Sequence, residues 1–198
     1  MSSTTSTTDH HTLSDAIKHD HKEIFTSYDH YMKSSADHDA QVRWAHQLVW
    51  AAARHTVGEE IIVYPLFERF LGKEGAQMAD QDRAEHHYIK VRLAEMEHME
   101  VGTDEYNDMM KDVMDHLRDH VQGEEDHDLP RLEPALGSDS AKYAKDFERT
   151  KIFAPTRPHP DAPNKPPFET LAGLMTAPID KLRDAFSQFP TEEMMKQA

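Results

Sequence analysis

The chain of 198 residues contains no cysteine. That excludes disulfide frameworks, zinc knuckles, thiolate-held iron–sulfur clusters and a cysteine nucleophile. Positive charge is scarce: Lys and Arg total 22 against 37 Asp and Glu, a net charge of -15. A nucleic-acid binder needs a basic face for phosphates, so that class is set aside, and anionic partners in general are disfavoured. Long apolar runs are missing too; none approaches the roughly 18 residues that span a bilayer. The Ser/Thr-rich stretch Met1–Thr8 has neither the basic and apolar regions of a signal peptide nor the arginines of a transit peptide, so a cytoplasmic location is the expectation. What the chain has in excess is histidine, 15 of them. In an acidic, cysteine-free chain that abundance points to metal, and position has to decide.

The apolar pattern predicts an all-α fold, with a disordered leader over 1–12, a bundle over 13–136 and an extension over 137–198. Ser14 is a candidate N-cap for a first helix carrying Ile17, His21, Ile24, Tyr28 and Tyr31 at steps of three and four. A second helix carries Leu48, Ala52, His55, Glu59, Ile62 and Leu66 and is expected to end at Gly72 and Gly75. A third carries Met78, Asp82, His86, Ile89, Leu93 and Met96. A fourth carries Met109, Val113, Leu117, His120, Glu124 and His127, and is expected to fail near Pro130 and Pro134. Narrow stripes and short loops suit an up-down-up-down four-helix bundle. Beyond Gly137, residues 138–153 read as a further helix. Eight of the 11 prolines lie beyond residue 150, so an extended Pro-rich arm docked on the bundle is expected, then a short closing helix over 179–189.

An internal repeat carries the chemistry. His55-Thr-Val-Gly58-Glu59-Glu60 with Pro65 and His120-Val-Gln-Gly123-Glu124-Glu125 with Pro130 share one pattern, displaced by 65 residues. The same displacement carries Asp20-His21 onto Glu85-His86. One His/Glu pair at i,i+4 is common on polar helix faces and signals little by itself. Here the identities recur in register, the histidines lie on the apolar seams, and each helix supplies one. An unpaired polar group buried at such a seam costs about 1–3 kcal/mol, so four histidines and two glutamates there imply something bound. Residues four apart share a helix face and lie about 6 Å apart along its axis, close enough to serve one metal or adjacent metals. Four nitrogens and two carboxylates able to bridge suit a pair of iron ions better than one tetrahedral zinc. The glycines before the glutamates suggest that space is needed beside the site.

These residues resemble the hemerythrin-like HHE cation-binding family, whose pattern of H, HxxxE, H and HxxxE is met by His21, His55 with Glu59, His86, and His120 with Glu124. The resemblance implies a four-helix bundle around two iron ions, which an oxo or hydroxo group can bridge, and a small-molecule ligand: O2, peroxide or NO. The six residues are the implied metal ligands. Asp82, Glu60 and Glu125 are further candidates, the latter two also as acceptors for histidine N–H groups. Oxygen carriers of the family have His-x-x-x-His on the third helix. Here Asp82 stands four residues before His86, which makes the site less nitrogen-rich and speaks against carriage. The Pro-rich arm resembles extensions of fungal members.

Lesser candidates are weighed against plain packing or solvation. His116 and His127 read as solvated and His87 points away from His86. Tyr28 reads as a packed tyrosine, and Trp44 and Trp50 as core. Three functional readings are open: a di-iron protein reactive toward O2, peroxide or NO; an iron- or oxygen-sensing module without turnover; and a metal-free structural bundle.

Overall fold

The computed structural model describes residues 11–165 and 168–198, the side chains of 168–174 and 197 excepted. Most of the leader, with His10, and Pro166 and Pro167 lie outside the described residues. Every regular element among the described residues is helical.

Helix α1 (Leu13–Lys33) begins at Thr12, whose hydroxyl accepts from the Asp15 amide while the Asp15 carboxylate accepts from the Thr12 amide. The reciprocal pair needs an acid three residues on, which Thr12 has and Ser14 lacks. Ser14, the expected cap, instead donates its hydroxyl to Glu133 at 2.6 Å. Helix α2 (His38–Gly58) starts on the Asp37 carboxylate.

Pro65 does not stop the chain. A five-residue π-turn, Glu59–Val63, leads directly into α3 (Tyr64–Met96), the Tyr64 amide donating to the Glu59 carbonyl. The same device follows α4 (Asp104–Gly123): a π-turn at Glu124–Asp128, closed by the Leu129 amide on the Glu124 carbonyl, opens α5 (Leu129–Leu136). The expected failure at Pro130 therefore does not occur. Proline lacks an N–H and crowds the carbonyl four residues back, and a wider turn ahead of it relieves both problems. A true break does occur at Gly72, where φ is 63°, while Gly75 lies buried within the helix that follows.

Each π-turn shifts the buried stripe. Past the first, Val63, Tyr64 and Phe67 are buried and Ile62 is only half-buried. Past the second, Leu129 is buried, while His127, within that turn, is exposed, in line with its reading as a solvated histidine. On α4 the buried methionines are Met110 and Met114, not Met109.

Helix α6 (Ser140–Phe153) packs across α1, α2 and the first π-turn. Residues 154–165 then run without regular structure beside α3, where the Asn164 carbonyl accepts from Arg83 and Lys165 pairs with Asp80 at 2.6 Å. Helix α7 (Phe168–Asp184) begins well before the expected position and passes through Pro178; Leu, Ala and Met between 171 and 177 are strong helix formers. Its Ile179 and Leu182, and Phe186 beyond it, are exposed. A last helix, α8, spans Glu192–Gln197.

The apolar core divides into two clusters. One holds Ile24, Leu48, Ile89, Val113 and Leu117; the other Leu13, Ile17, Val63, Phe67, Leu132 and Phe147. Along each helix of the bundle the predicted site residues fall between them.

Candidate metal centre

The structure brings the six residues singled out by the repeat together. His21 comes from α1, His55 from α2, His86 from α3 and His120 from α4. Glu59 and Glu124 are the first residues of the two π-turns. None is more than 3% exposed. Their inner atoms converge: Glu124 lies 3.3 Å from His21 Nε2, and Glu59 lies 3.4 Å from His55 Nε2 and 3.3 Å from His86 Nε2. His86 Nε2 and His120 Nε2 are 3.0 Å apart. Two ligand triads emerge, His21–His55–Glu59 and Glu59–His86–His120, sharing Glu59.

The outer nitrogens face carboxylates, and these too follow the repeat. His21 Nδ1 donates to Glu125 at 2.7 Å and His120 Nδ1 to Glu85 at 2.8 Å. His55 Nδ1 faces Asp20 and His86 Nδ1 faces Glu60, each at 3.5 Å. Glu60 and Glu125 thus stand behind histidines, not among the converging inner atoms. Asp20 and Glu85 do the same work, a role the sequence reading missed although both lie inside the repeated motif. An acceptor behind each ring orients the ring and strengthens its inner nitrogen as a donor toward a metal. Two of the four acceptors carry buried lysines. Lys90 binds Glu60 at 2.5 and 2.6 Å, and Lys151, from α6, binds Asp20 at 2.6 and 2.7 Å.

Electrostatics without a cation are divided. Burial depresses His21, but the Glu124 and Glu125 carboxylates outweigh it and push its pKa up to about 9. Burial takes His55 down to about 4 and His86 down to about 3. Glu59 is raised by burial and then by the Glu124, Asp82 and Asp20 carboxylates. Burial raises Asp82 too, with Glu124, Asp128 and Glu85 adding to it, to about 9.

Asp82 does not join the inner cluster of nitrogens. Of the four rings only His120 comes within 4.0 Å of it among the described residues, through the outer nitrogen. Tyr64, absent from the sequence reading, is fully buried with its hydroxyl 3.0 Å from His86 Nε2 and 3.1 Å from Nδ1. Tyr28 stacks on Tyr31 in the apolar core, Trp44 is buried there, and Trp50 packs against it beneath Arg54. His116 stacks on Tyr88 at the surface and His87 is exposed. The repeated glycines differ. A Cβ on Gly58 would meet Phe147 at 2.8 Å and Lys151 at 3.2 Å, while one on Gly123 would meet nothing within 4 Å.

Eight buried atoms of His21, His55, Glu59, Glu124 and Asp82 lack a hydrogen-bond partner. At about 1–3 kcal/mol each, such a set is tolerable only if another species satisfies it. His86 and His120 also meet nitrogen to nitrogen, with 3.0 Å between their Nε2 atoms. Both facts, and the hard-and-imidazole donor set, fit a bound cation.

A helical bundle that closes histidines and carboxylates on one another in this way is a cation-binding bundle. The model of the hemerythrin HHE cation-binding domain matches residues 12–132. A hemerythrin-like protein of Schizosaccharomyces pombe is 48% identical over 179 residues, which is 90% of this chain and 88% of that one. The chain belongs to the hemerythrin HHE cation-binding family, and the likeness to the yeast protein extends well past the family domain into the extension. No solved structure matches it. Among the described residues no helix is long and apolar enough to cross a membrane.

Proposed function

We propose that the protein holds two iron ions and uses them on O2, peroxide or NO. His21, His55, His86 and His120, with Glu59 and Glu124, would hold them. One observation carries this reading: inner atoms of six side chains from four helices converge, most of them with no partner in the protein. Bound iron would supply redox equivalents and a place for a small molecule to bind. The chain's part is to hold and enclose them. Glu125, Asp20, Glu60 and Glu85 fix the rings. Ile24, Ile89, Val113 and Leu117 keep water from one side, and Ile17, Val63 and Phe147 from the other. Tyr64 sets a hydroxyl beside His86, where it can donate a hydrogen bond. An aspartate in place of a fifth histidine favours reaction with peroxide or binding of NO over oxygen carriage. The setting is the cytoplasm and the partner a small molecule, neither nucleic acid nor membrane.

The test is metal content after anaerobic ferrous loading, then optical spectra on adding air and peroxide. Close to two irons per chain, with new bands that change as peroxide is consumed, is the expected result. Zinc alone, or no metal, refutes the reading. A His55→Ala/Glu59→Ala double variant is expected to lose iron; retention of both ions refutes the ligand assignment.

A second reading rests on Lys151. Through Asp20 it ties α6 to His55, so occupancy of the centre and docking of the extension are linked. In an iron- or oxygen-sensing module, loading would change the protease sensitivity of residues 137–198 while peroxide went unconsumed.

A further inference from the structure

The displacement of 65 residues pairs every position of the first half of the centre with one in the second, and the pairs that fail to match are informative. Asp82 corresponds to Ile17, and Asp128 to Val63. Both partners are fully buried in the apolar cluster under α6. Glu85 corresponds to Asp20, which Lys151 neutralises; among the described residues Glu85 accepts from His120 and from Gln81, the latter at 3.0 Å, and from no lysine or arginine. Gly123 corresponds to Gly58, yet only Gly58 is covered. So α6, Ile17 and Val63 seal the His55 half, whereas the His120 half has carboxylates where its twin has hydrocarbon, and among the described residues nothing comes within 4 Å of a Cβ placed on Gly123.

The acids on that open side are not a solvated surface cluster. Asp82 is 3% exposed, and its Oδ2 has no hydrogen-bond partner. Its sequence neighbour Arg83 is spent elsewhere, on Glu68 at 2.9 Å, Asp80 at 3.4 Å and the Asn164 carbonyl at 3.1 Å. Among the described residues no lysine or arginine pairs with Asp82. Ligand atoms of Asp82, Glu85 and His120 lie within 4.8 Å of one another, on the outer side of the His120 ring. Asp128 is half-buried at the end of the second π-turn, one turn beyond Glu124. A buried acid with an unpartnered oxygen, bordered by a half-exposed Glu85 and a half-buried Asp128, can take up a cation that arrives from outside.

We propose that Asp82, Glu85 and Asp128 form a staging site for a divalent cation, ferrous iron in the loading reaction, on its way to the centre. The proposal rests on the reading of the centre as an iron site. The staging site holds the ion on the Nδ1 side of His120, and the ligands of the centre then take it over. In the other half Lys151 already holds Asp20, the counterpart of Glu85 in the His19–Asp20–Glu23 group, and Ile17 and Val63 stand where this half has Asp82 and Asp128, so loading proceeds from this side.

The probe is ferrous iron alone, mixed anaerobically with the metal-free full chain, with uptake followed by rapid-mixing competition against a coloured ferrous chelator. Charge focused in a cleft accelerates capture of an opposite charge by at least about tenfold, so Asp128→Asn and Asp82→Asn are each expected to slow uptake by about that factor. Both should still bind as much iron as the parent chain. Asp126→Asn, an exposed acid of the same π-turn, controls for general surface charge and should load at the parental rate. Unchanged rates in both test variants overturn the proposal. Loss of bound iron in Asp82→Asn also overturns it, since Asp82 would then be a ligand of the centre. Should Asp82→Asn fail to fold, Asp128→Asn decides alone. Failure of the parent chain to take up iron refutes the iron reading itself.

Discussion

Gly58 and Gly123 occupy equivalent places in the repeat, one residue before each glutamate, and so allow a matched experiment. In an ordinary helix, Gly→Ala stabilises by about 1 kcal/mol, because alanine loses less backbone freedom on folding. Gly123→Ala meets open space and should keep that gain. Gly58→Ala places its methyl 2.8 Å from the Phe147 ring and 3.2 Å from Lys151. Phe147 is fully buried and cannot swing away, so α6 must move outward or the helix must bend. Overpacking of this kind costs about 1–3 kcal/mol, which cancels or exceeds the helical gain. The two variants should therefore differ by about 1–3 kcal/mol with Gly58→Ala the less stable. In a chain of this size that is a difference of about 2–12 °C in melting temperature. Thermal unfolding of both metal-free variants, followed by circular dichroism, measures it. Equal melting temperatures, or a more stable Gly58→Ala, would refute the argument that α6 is fitted against that glycine.

Three further outcomes are expected. Ferrous iron added anaerobically should raise the melting temperature: at a free concentration 100 times the dissociation constant the gain is about 2.7 kcal/mol, or about 5–11 °C, and an unmoved transition would mean that the orphaned atoms bind nothing. Lys151→Met should destabilise by about 3 kcal/mol in urea unfolding, because Asp20 is left buried without its cation, and a double variant that also carries Asp20→Asn should recover part of the loss. Tyr64→Phe removes the hydroxyl beside His86. It should cost about 1 kcal/mol of stability and leave iron content unchanged, while shifting the optical spectrum of the loaded protein; an unaltered spectrum would place Tyr64 outside the site's chemistry.

Helix positions and the converging residues were legible because both are written as periodicity. His21, His55, His86 and His120 lie at helical spacing among apolar residues, and the displacement of 65 ties the two halves together. The supporting carboxylates were less legible for a geometric reason. Asp20 and Glu85 each precede a histidine by one residue, so they point about 100° away from it on their own helix. That direction serves the histidine of the next helix: Asp20 faces His55 and Glu85 faces His120. A pattern read along one helix cannot register a contact made between two. The extension was the least legible part, since prolines mark where a helix is unfavourable but not where a neighbouring surface stabilises one.

Tyr64 shows how one local irregularity hides a side chain that lies against the candidate site. Counting in steps of three and four from Glu59 leads to Ile62, Val63 and Leu66, and leaves Tyr64 off the seam. The chain instead closes its turn over five residues, with the Tyr64 amide on the Glu59 carbonyl. One extra residue per turn rotates everything beyond it, so that Tyr64 reaches His86 and Ile62 moves outward. The second π-turn makes the same rotation, putting Leu129 inside where Tyr64 stands in the first half and turning His127 out to solvent. The signal was present as Pro65 and Pro130, six residues after Glu59 and Glu124. A proline inside an otherwise unbroken amphipathic pattern implies either an end or a widened turn. Its recurrence at one place in both halves, beside Glu59 and Glu124, argues for the widened turn. A helix end there would have left Glu59 and Glu124 in a frayed terminus, where Glu59 could not be held against His55 and His86 at once, nor Glu124 against His21.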